Sequence, residues 1–246
     1  MSDLSWKARI FILSVIAVGL GLSIYSLLKV DWQNFWLLIL TGMAAVAQVY
    51  KVEGATHKSS YNLGWVVYGF AFVLLGAPAT LFIILVAHLI EWAWHKYPWY
   101  IQLFNMASYT VAMVAAGFVS QMLFPAKSPL TVAFAMSALL ATLIFTFLNH
   151  LMVGIVLRLA RGESFAESGV FGFLTLIMDF TMFGVGIGSA FLWIINPATV
   201  FFNVIPLYLF YNALKVPALM RRVVQLESRQ DDFPLVSQMG VESQPG

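Results

Sequence analysis

The chain has 246 residues, of which 61% are hydrophobic and 10% charged, whereas a typical soluble domain carries about 25% charged residues. So few charges exclude a water-soluble surface for a domain of this size. The net charge of +2 gives no reason to expect a nucleic-acid partner. The absence of cysteine excludes disulfides, thiolate catalysis and cysteine-ligated metals.

The charged residues are segregated along the chain. The stretches 10–28, 97–126, 128–157 and 180–214 contain none, and about 18 apolar residues suffice for a helix to cross the hydrocarbon core. The strands of a membrane barrel would alternate apolar and polar residues, but 139–148 is apolar at nearly every position. The sequence therefore predicts an all-α, polytopic transmembrane helix bundle.

Interruptions by charges and turn residues predict about eight spans. In chain order they are 8–28, 35–50, 63–75, 78–94, 99–123, 130–157, 165–195 and 198–220. The first apolar run, of about 19 residues, is longer than the core of a signal peptide and is predicted to be retained. The third and fourth spans share one apolar run around Gly76-Ala77-Pro78, so two short spans, a re-entrant hairpin and a total of seven spans all stay open.

The distribution of Lys and Arg predicts the orientation. With the N-terminus in the cytoplasm, the outer loops hold only Lys29 and Lys127 of the 13 basic residues. Both termini are therefore expected inside. Residues 1–229 are predicted to form the transmembrane domain with a cytoplasmic helical extension, and 230–246 a disordered cytoplasmic tail.

Asp179 is the most conspicuous polar residue, because it lies near the middle of the seventh predicted span. Ionisable residues at membrane depth are costly and are candidates for function. Asp179 is therefore a candidate anchor for a ligand, or a group that responds to protons or cations. The alternative is a neutral carboxyl group that is hydrogen-bonded to another helix.

A second set of polar residues is expected at one depth in the cytoplasmic half of the bundle. The spacing i, i+3, i+7 places His88, Glu91 and His95 on one helix face. The sequence predicts a polar pocket open to the cytoplasm; the alternative is a group of interfacial residues with interhelical hydrogen bonds. Spacing does not show the three or four convergent ligands that a metal needs, so no metal or cofactor is predicted. The candidate ligand-binding residues are Asp179, His88, Glu91, Asn105, Asn149 and His150.

Two further motifs bear on activity and partners. No Ser/His/Asp arrangement, His-Glu-x-x-His motif or phosphate loop is present, so the chain is predicted not to be an enzyme; a membrane-embedded enzyme using His88, Glu91 and His150 is the least favoured alternative. Gly184 and Gly188 have the Gly-x-x-x-Gly spacing, which predicts close helix packing within the bundle or a homodimer through these two residues.

A family resemblance rests on three segments: 75–78 (Leu-Gly-Ala-Pro), 88–97, and 103–107 (Leu-Phe-Asn-Met-Ala). They resemble the multispanning membrane region that precedes GGDEF, HD-GYP or histidine kinase domains in bacterial signalling proteins, and the resemblance covers 63–229. It implies a sensory input module in the bacterial cytoplasmic (inner) membrane. The chain contains no GGDEF sequence, HD pair or kinase box, so the expected module acts through a cytoplasmic signalling partner.

An alternative function is a transporter or a substrate-binding membrane subunit with a polar site that involves Asp179. Short or broken hydrophobic segments, such as those that meet at Gly76-Ala77-Pro78, often mark binding sites in transporters.

Overall fold

The computed structural model describes residues 1, 4–53, 60–123 and 130–231. These residues form seven α-helices, a short antiparallel strand pair and one 3-10 helix, Pro197–Asn203. The helices are α1 (Trp6–Leu27), α2 (Phe35–Val49), α3 (Gly64–His95), α4 (Trp99–Leu123), α5 (Val132–Arg161), α6 (Phe173–Ile195) and α7 (Val204–Asp231). The strands are β1 (Val52–Glu53) and β2 (Ser60–Tyr61). The predicted disordered tail lies outside the described residues, except for positions 230 and 231, which are helical.

The surface of the bundle is apolar, as a lipid environment requires. In the described part of the chain, α1, α3, α4, α5 and α6 are long and apolar enough to cross a membrane. Large apolar side chains face outward along them; Phe118 is 67% exposed and Val132 is 81% exposed. An apolar surface of this extent belongs in hydrocarbon rather than water. The predicted membrane location and helical fold class are confirmed: the chain is a multi-pass, all-α membrane protein.

Helix α3 is a helical hairpin rather than one straight rod. Its backbone leaves the helical conformation at Gly76, which has φ 81° and ψ 172° and stands two residues before Pro78. The Tyr68 hydroxyl and the Glu91 carboxylate both bond the Gln48 side chain, at 3.2 and 2.6 Å. Twenty-three residues of continuous helix would separate Tyr68 and Glu91 by about 35 Å. The chain therefore reverses at Gly76, where only glycine tolerates the backbone conformation.

The two arms of this hairpin differ in length. The first arm, 64–75, is about 18 Å long, and the second arm, 77–95, is about 28 Å long at 1.5 Å per residue. The hydrocarbon core is about 30 Å thick, so the first arm is too short to cross it as a straight helix. Two of the alternatives that the sequence leaves open, two short spans and a re-entrant hairpin, contain this chain reversal at Gly76-Ala77-Pro78.

Contacts between helices give their relative directions. Phe11 packs on Phe104, and Ser23 bonds Thr110 at 3.1 Å, so α1 and α4 run in the same direction. Helices α5 and α6 are antiparallel. Phe134, at the start of α5, contacts Phe191 near the end of α6, whereas His150, later in α5, contacts Asp179 in the first half of α6. Ser5, at the start of α1, donates a 2.7 Å hydrogen bond to the Leu159 carbonyl in the last turns of α5. We call the end of the bundle that contains Ser5, β1, 95–99 and 162–172 the cavity end.

The second predicted span is a helix of only 15 residues, α2, which is not among the five helices long enough to cross a membrane. The seventh and eighth predicted spans begin later than predicted. The seventh was predicted from residue 165, but α6 begins at Phe173, because Gly169 adopts φ 68° and the 162–172 segment forms turns instead. The eighth span was predicted to begin at residue 198, but the chain there forms the 3-10 helix. The Asn203 amide, at the end of this 3-10 helix, donates a 2.9 Å hydrogen bond to the Ser189 hydroxyl on α6. Helix α7 begins only at Val204 and is not among the five helices long and apolar enough to cross a membrane.

The first arm of α3 and α6 approach each other closely, backbone against backbone. A Cβ atom on Gly69 would stand 2.1 Å from the Phe183 carbonyl, and one on Gly186 would stand 2.0 Å from the Val66 carbonyl. No side chain fits at either position, so the two glycines allow these helices to pack backbone against backbone.

The predicted role of Gly184 and Gly188 in packing within the bundle is wrong. A Cβ atom on either residue would have no neighbour within 4 Å in the described part of the chain. Gly186, halfway between them, faces the first arm of α3, and a helix places positions two residues away on other faces. Their predicted role in a homodimer stays a prediction.

This packing predicts unequal effects of one substitution at two neighbouring glycines. Gly186→Ala should lower the unfolding free energy by about 1–3 kcal/mol, because its Cβ clashes with the backbone at Val66. Gly184→Ala should leave stability within about 1 kcal/mol of the native value or raise it. Thermal unfolding of the detergent-purified variants measures both, and equal midpoints would contradict the assigned contact.

Candidate functional site

A polar cavity of about 280 Å³ opens at the cavity end of the bundle. Its walls come from α2, both arms of α3, α4, α5, α6 and the 162–172 segment. The residues that line it are Gln48, Lys51, Asn62, Trp65, His88, Asn105, Tyr109, Asn149, His150, Val153, Ser168, Gly169, Val170, Thr175 and Asp179. Most of these side chains carry nitrogen or oxygen atoms, which contrasts with the apolar outer surface.

Gln48, in the cavity wall, joins three parts of the bundle. Its amide nitrogen donates a 2.6 Å hydrogen bond to the Glu91 carboxylate on the second arm. Its carbonyl oxygen accepts from the Asn62 amide and, at 3.2 Å, from the Tyr68 hydroxyl. Gln48 is 2% exposed, so each of these bonds lies away from water, where an unmade bond costs most.

His88 presents an unpartnered nitrogen within the cavity wall. Its Nδ1 lies 2.9 Å from the Glu91 carboxylate, and a hydrogen bond at this distance to a carboxylate requires a proton on Nδ1. Gln102 donates a 2.6 Å hydrogen bond to the His88 carbonyl and fixes this turn of the helix. The Nε2 atom is buried and has no partner in the described structure. In the neutral ring it is an acceptor.

Lys51 compensates the charge of Glu91 at the rim. The two side chains form an ion pair, in which Lys51 is 23% exposed and Glu91 only 2%. The Lys51 ammonium also lies 5.5 Å from the centre of the Tyr97 ring. A buried carboxylate without an opposite charge is strongly destabilising, so this pair allows Glu91 to remain inside the bundle.

His150 and Asp179 form a second buried pair on the opposite wall. The His150 Nε2 lies 2.8 Å from the Asp179 carboxylate, and the contact joins α5 to α6. Both residues are less than 10% exposed. Hydrogen bonds in such a low-dielectric environment are stronger than in water. Asp179 is thus hydrogen-bonded to another helix and also lines the cavity, so a ligand-binding role and a neutral carboxyl group both stay predictions.

Asn149 and two aromatic residues complete the wall. Asn149 is 7% exposed, and its side-chain oxygen has no partner in the described structure. The Trp65 indole donates a 3.1 Å hydrogen bond to the Tyr109 hydroxyl, and the Tyr109 ring lies 4.7 Å from that of His88. The cavity therefore combines flat aromatic surface with buried polar atoms.

The structure brings together the residues that the sequence singled out. Five of them line the cavity: Asp179, His88, Asn105, Asn149 and His150. Glu91 lies directly behind His88 and Lys51. His95, expected on the same face, is instead exposed at the rim, where its ring nitrogen lies 3.3 Å from the Val49 carbonyl. Whether the assembled set binds a ligand stays a prediction.

Sequence reasoning missed several residues that build the site. These are Gln48, Lys51, Asn62, Trp65, Gln102 and Tyr109. Gln48 and Gln102 carried a usable signal, because each is a lone amide in an apolar helix, and such residues usually hydrogen-bond across helices. Trp65 and Tyr109 carried none, since aromatic residues are common throughout this chain.

No metal centre is evident in the described part of the chain, where no three His, Asp or Glu side chains gather closely enough to share an ion. Comparison with protein-family models, with curated proteins and with solved structures finds no match to this chain. The geometry of the cavity is therefore the basis for assigning a function.

The hydrogen bonds of Gln48 predict a stability effect. Gln48→Leu should lower the unfolding free energy by about 1–3 kcal/mol, because the partners on both arms of α3 lose bonds in a buried place. Gln33→Leu, the same change at an exposed residue between α1 and α2, is the matched control and should have little effect. Thermal unfolding in detergent measures both; equal effects would contradict the role given to Gln48.

Proposed function

We propose that this chain is a membrane input module that binds a small polar ligand in the cavity and transmits binding, through α7, to a cytoplasmic partner. The observation that carries the proposal is the convergence on one cavity of buried polar side chains from α2, the second arm of α3, α5 and α6, with atoms of His88 and Asn149 left unpartnered. The module has no catalytic role in this proposal.

Unpartnered buried polar atoms favour a binding role. Such an atom typically costs about 1–3 kcal/mol of stability, and most buried polar atoms in native proteins are paired. His88 and Asn149 bear this cost on two different helices that face the same space. A ligand that bonds both atoms would remove the cost, which is how a site built for binding differs from a site built for stability.

A physical route leads from the cavity to α7. Lys51, on the cavity rim, directly precedes β1, and β1 contacts α7. On the other side, α6 carries Asp179 in the cavity wall and lines a space with Leu207 of α7 through Met182. A ligand that displaces Lys51 or shifts α6 would therefore act on α7 from two sides.

The proposed topology places the cavity end in the cytoplasm. This end contains the start of α1 with Lys7 and Arg9 and the end of α5 with Arg158 and Arg161, whereas Lys29 follows α1 at the opposite end. The positive-inside rule favours the basic end as the cytoplasmic one. About eight membrane passages or insertions, with the two hairpin arms counted separately and both termini inside, fit this arrangement. The resemblance to bacterial signalling proteins favours the bacterial inner membrane.

A transporter or substrate-binding subunit is the second candidate function. The supporting observation is the hairpin, since its short first arm and its reversal at Gly76 form a broken segment of the kind found beside transporter binding sites. Asp179 would then hold the cargo in the cavity. This candidate predicts movement of the ligand across the membrane, whereas a sensor binds it without moving it.

Blocking the cavity should abolish ligand binding. The purified protein, in lipid nanodiscs, is incubated with the small-molecule fraction of a bacterial cell extract, and retained compounds are identified by mass spectrometry. Val153→Trp fills the cavity from α5 and should abolish specific retention. Leu143→Trp, on the exposed side of the same helix, is the control and should retain the compound. Equal retention by both variants, or none by the native protein, would refute the binding function.

Ligand binding should also change the position of α7. The chain contains no cysteine, so Ala166→Cys with Leu219→Cys carries two spin labels without background. We expect the distance distribution between them to shift when the same extract fraction is added. The pair Ala166→Cys with Leu89→Cys, both within the bundle, is the control. Uptake of the retained compound into sealed vesicles without a shift at Leu219 would favour the transporter instead.

A further inference from the structure

A second space, of about 790 Å³, lies on the outer side of the bundle. We call it the α7 groove, because α7 forms one wall while α2 and the first arm of α3 form the others. Its lining is apolar apart from two tyrosines, and consists of Leu38, Ile39, Gly42, Met43, Val46, Ala47, Tyr50, Leu63, Val66, Val67, Leu207 and Tyr211. None of these residues lines the polar cavity, so the groove is a separate site.

The α7 groove is open to the hydrocarbon of the membrane. Leu38 and Val46 line it from α2, and they are 72% and 61% exposed. A Cβ atom on Gly42 would have no neighbour within 4 Å in the described part of the chain. Helix α7 makes most of its described contacts with the 3-10 helix and β1 rather than with α2. In a bilayer, an apolar space of this kind is filled by lipid chains rather than by water.

Helix α7 runs toward the cavity end. Asn203, just before α7, bonds Ser189 in the second half of α6. Leu207 of α7 borders the same space as Met182, which is nearer the start of α6. The start of α6 lies at the cavity end, and β1, which also lies there, contacts α7. The later residues of α7 are therefore the ones nearest the membrane surface at that end.

The length of the α7 groove matches the depth of one leaflet. Leu38 and Tyr50 mark its two ends along α2, and twelve residues of helix extend about 18 Å. The hydrocarbon core is about 30 Å thick, so one leaflet contributes about 15 Å. Tyr50 ends α2 next to β1, at the cavity end. The groove therefore extends from the membrane surface at the cavity end to about the middle of the bilayer.

The mouth of the α7 groove changes from apolar to aromatic and then to basic. Tyr50 and Tyr211 line the cavity-end part of the groove, and tyrosine is typical of the depth of lipid head groups. One turn beyond, the Lys215 ammonium lies 3.9 Å from the centre of the Tyr211 ring. No carboxylate pairs with Lys215 in the described part of the chain. This order of groups is that of chain, interface and phosphate in an anionic phospholipid.

The sequence of α7 beyond the groove is also basic. In residues 215–229 a single acid, Glu227, stands against four basic residues: Lys215, Arg221, Arg222 and Arg229. Basic segments that follow a membrane helix attract anionic lipids. A second copy of the chain, inserted in the same orientation, would bring the same positive charge to this depth and be repelled. The charge balance therefore favours an anionic lipid over another copy as the occupant.

We infer that the α7 groove is a binding site for an anionic phospholipid of the surrounding membrane. One acyl chain lies along α2 between Leu38 and Tyr50, and the phosphate lies beside Lys215. The lipid fills the space between α7 and the rest of the bundle. The site requires no ligand in the polar cavity, so this inference stands or falls separately from the proposed function.

Two lipids that differ only in head group test the site. The full chain is titrated in detergent with phosphatidylglycerol, which is anionic, or with phosphatidylcholine, which is zwitterionic, both with the same acyl chains. Native mass spectrometry measures the affinity of the bound lipid. We expect phosphatidylglycerol to bind at least about fivefold more tightly, the scale of one basic residue beside an anionic lipid. Equal affinities would overturn the inference.

Filling the groove should displace the lipid. Gly42→Phe places a ring in the open space, and because ring and chain cannot both fit, phosphatidylglycerol affinity should fall about tenfold or more. Gly21→Phe is the matched control and should leave this affinity unchanged. Gly21, on α1, is likewise exposed and has no neighbour within 4 Å of an added Cβ, but it does not line the groove.

Two results with these variants would contradict the lipid site. Equal phosphatidylglycerol affinities of Gly42→Phe and Gly21→Phe would show that the lipid binds the outer surface without preference. A native dimer that Gly42→Phe dissociates, with lipid affinity unchanged, would assign the groove to a second copy of the chain.

Removing the charge at the mouth tests the head group. Lys215→Gln should weaken phosphatidylglycerol binding about fivefold and leave phosphatidylcholine binding unchanged, whereas a misfolded protein would lose both. Lys29→Gln is the control, because Lys29 lies 4.0 Å from the centre of the Tyr25 ring with the same i, i+4 spacing but at the opposite end of the bundle. An unchanged preference in Lys215→Gln, or an equal loss in Lys29→Gln, would refute the assigned head group.

Discussion

The burial of one carboxylate, that of Glu91, is the constraint on which the architecture of the site depends. A charge taken out of water must be matched by an opposite charge and by hydrogen bonds. Lys51 supplies the charge, while Gln48 and His88 supply the bonds. These partners lie on α2, on the segment that follows it and on the second arm of α3. The contacts that stabilise the buried charge of Glu91 therefore also fix the position of the hairpin relative to α2.

The helical bundle was predictable from the sequence, and its irregular parts were not. Hydropathy alone identifies helices, because every backbone group in lipid must be bonded within its own segment. It could not identify the late start of α6, which depends on a left-handed backbone at Gly169, or the 3-10 helix held by Asn203. Both depend on single tertiary or backbone features that an apolar run does not reveal.

Some of the residues that line the site were also predictable from the sequence. Polar residues at membrane depth are few, so His88, Asn149 and Asp179 were conspicuous, and the structure places all three on one cavity. The hydrogen-bond partners of these side chains could not be predicted from the sequence. The sequence gives no sign that Asp179 meets His150 across two helices, or that Gln48 connects α2 with both arms of the hairpin through Glu91 and Tyr68. Convergence of side chains is a property of helix packing, which spacing along one chain does not encode.

The 162–172 segment joins α5 to α6 without a helix of its own and contributes Ser168, Gly169 and Val170 to the cavity. Since it lies outside the membrane-crossing helices, its sequence can vary with little effect on how those helices pack. Exchange of this short connection alone would therefore change three residues of the cavity lining and leave the helices of the bundle as they are. The shape and polarity of the cavity can thus diverge between related chains faster than the fold does.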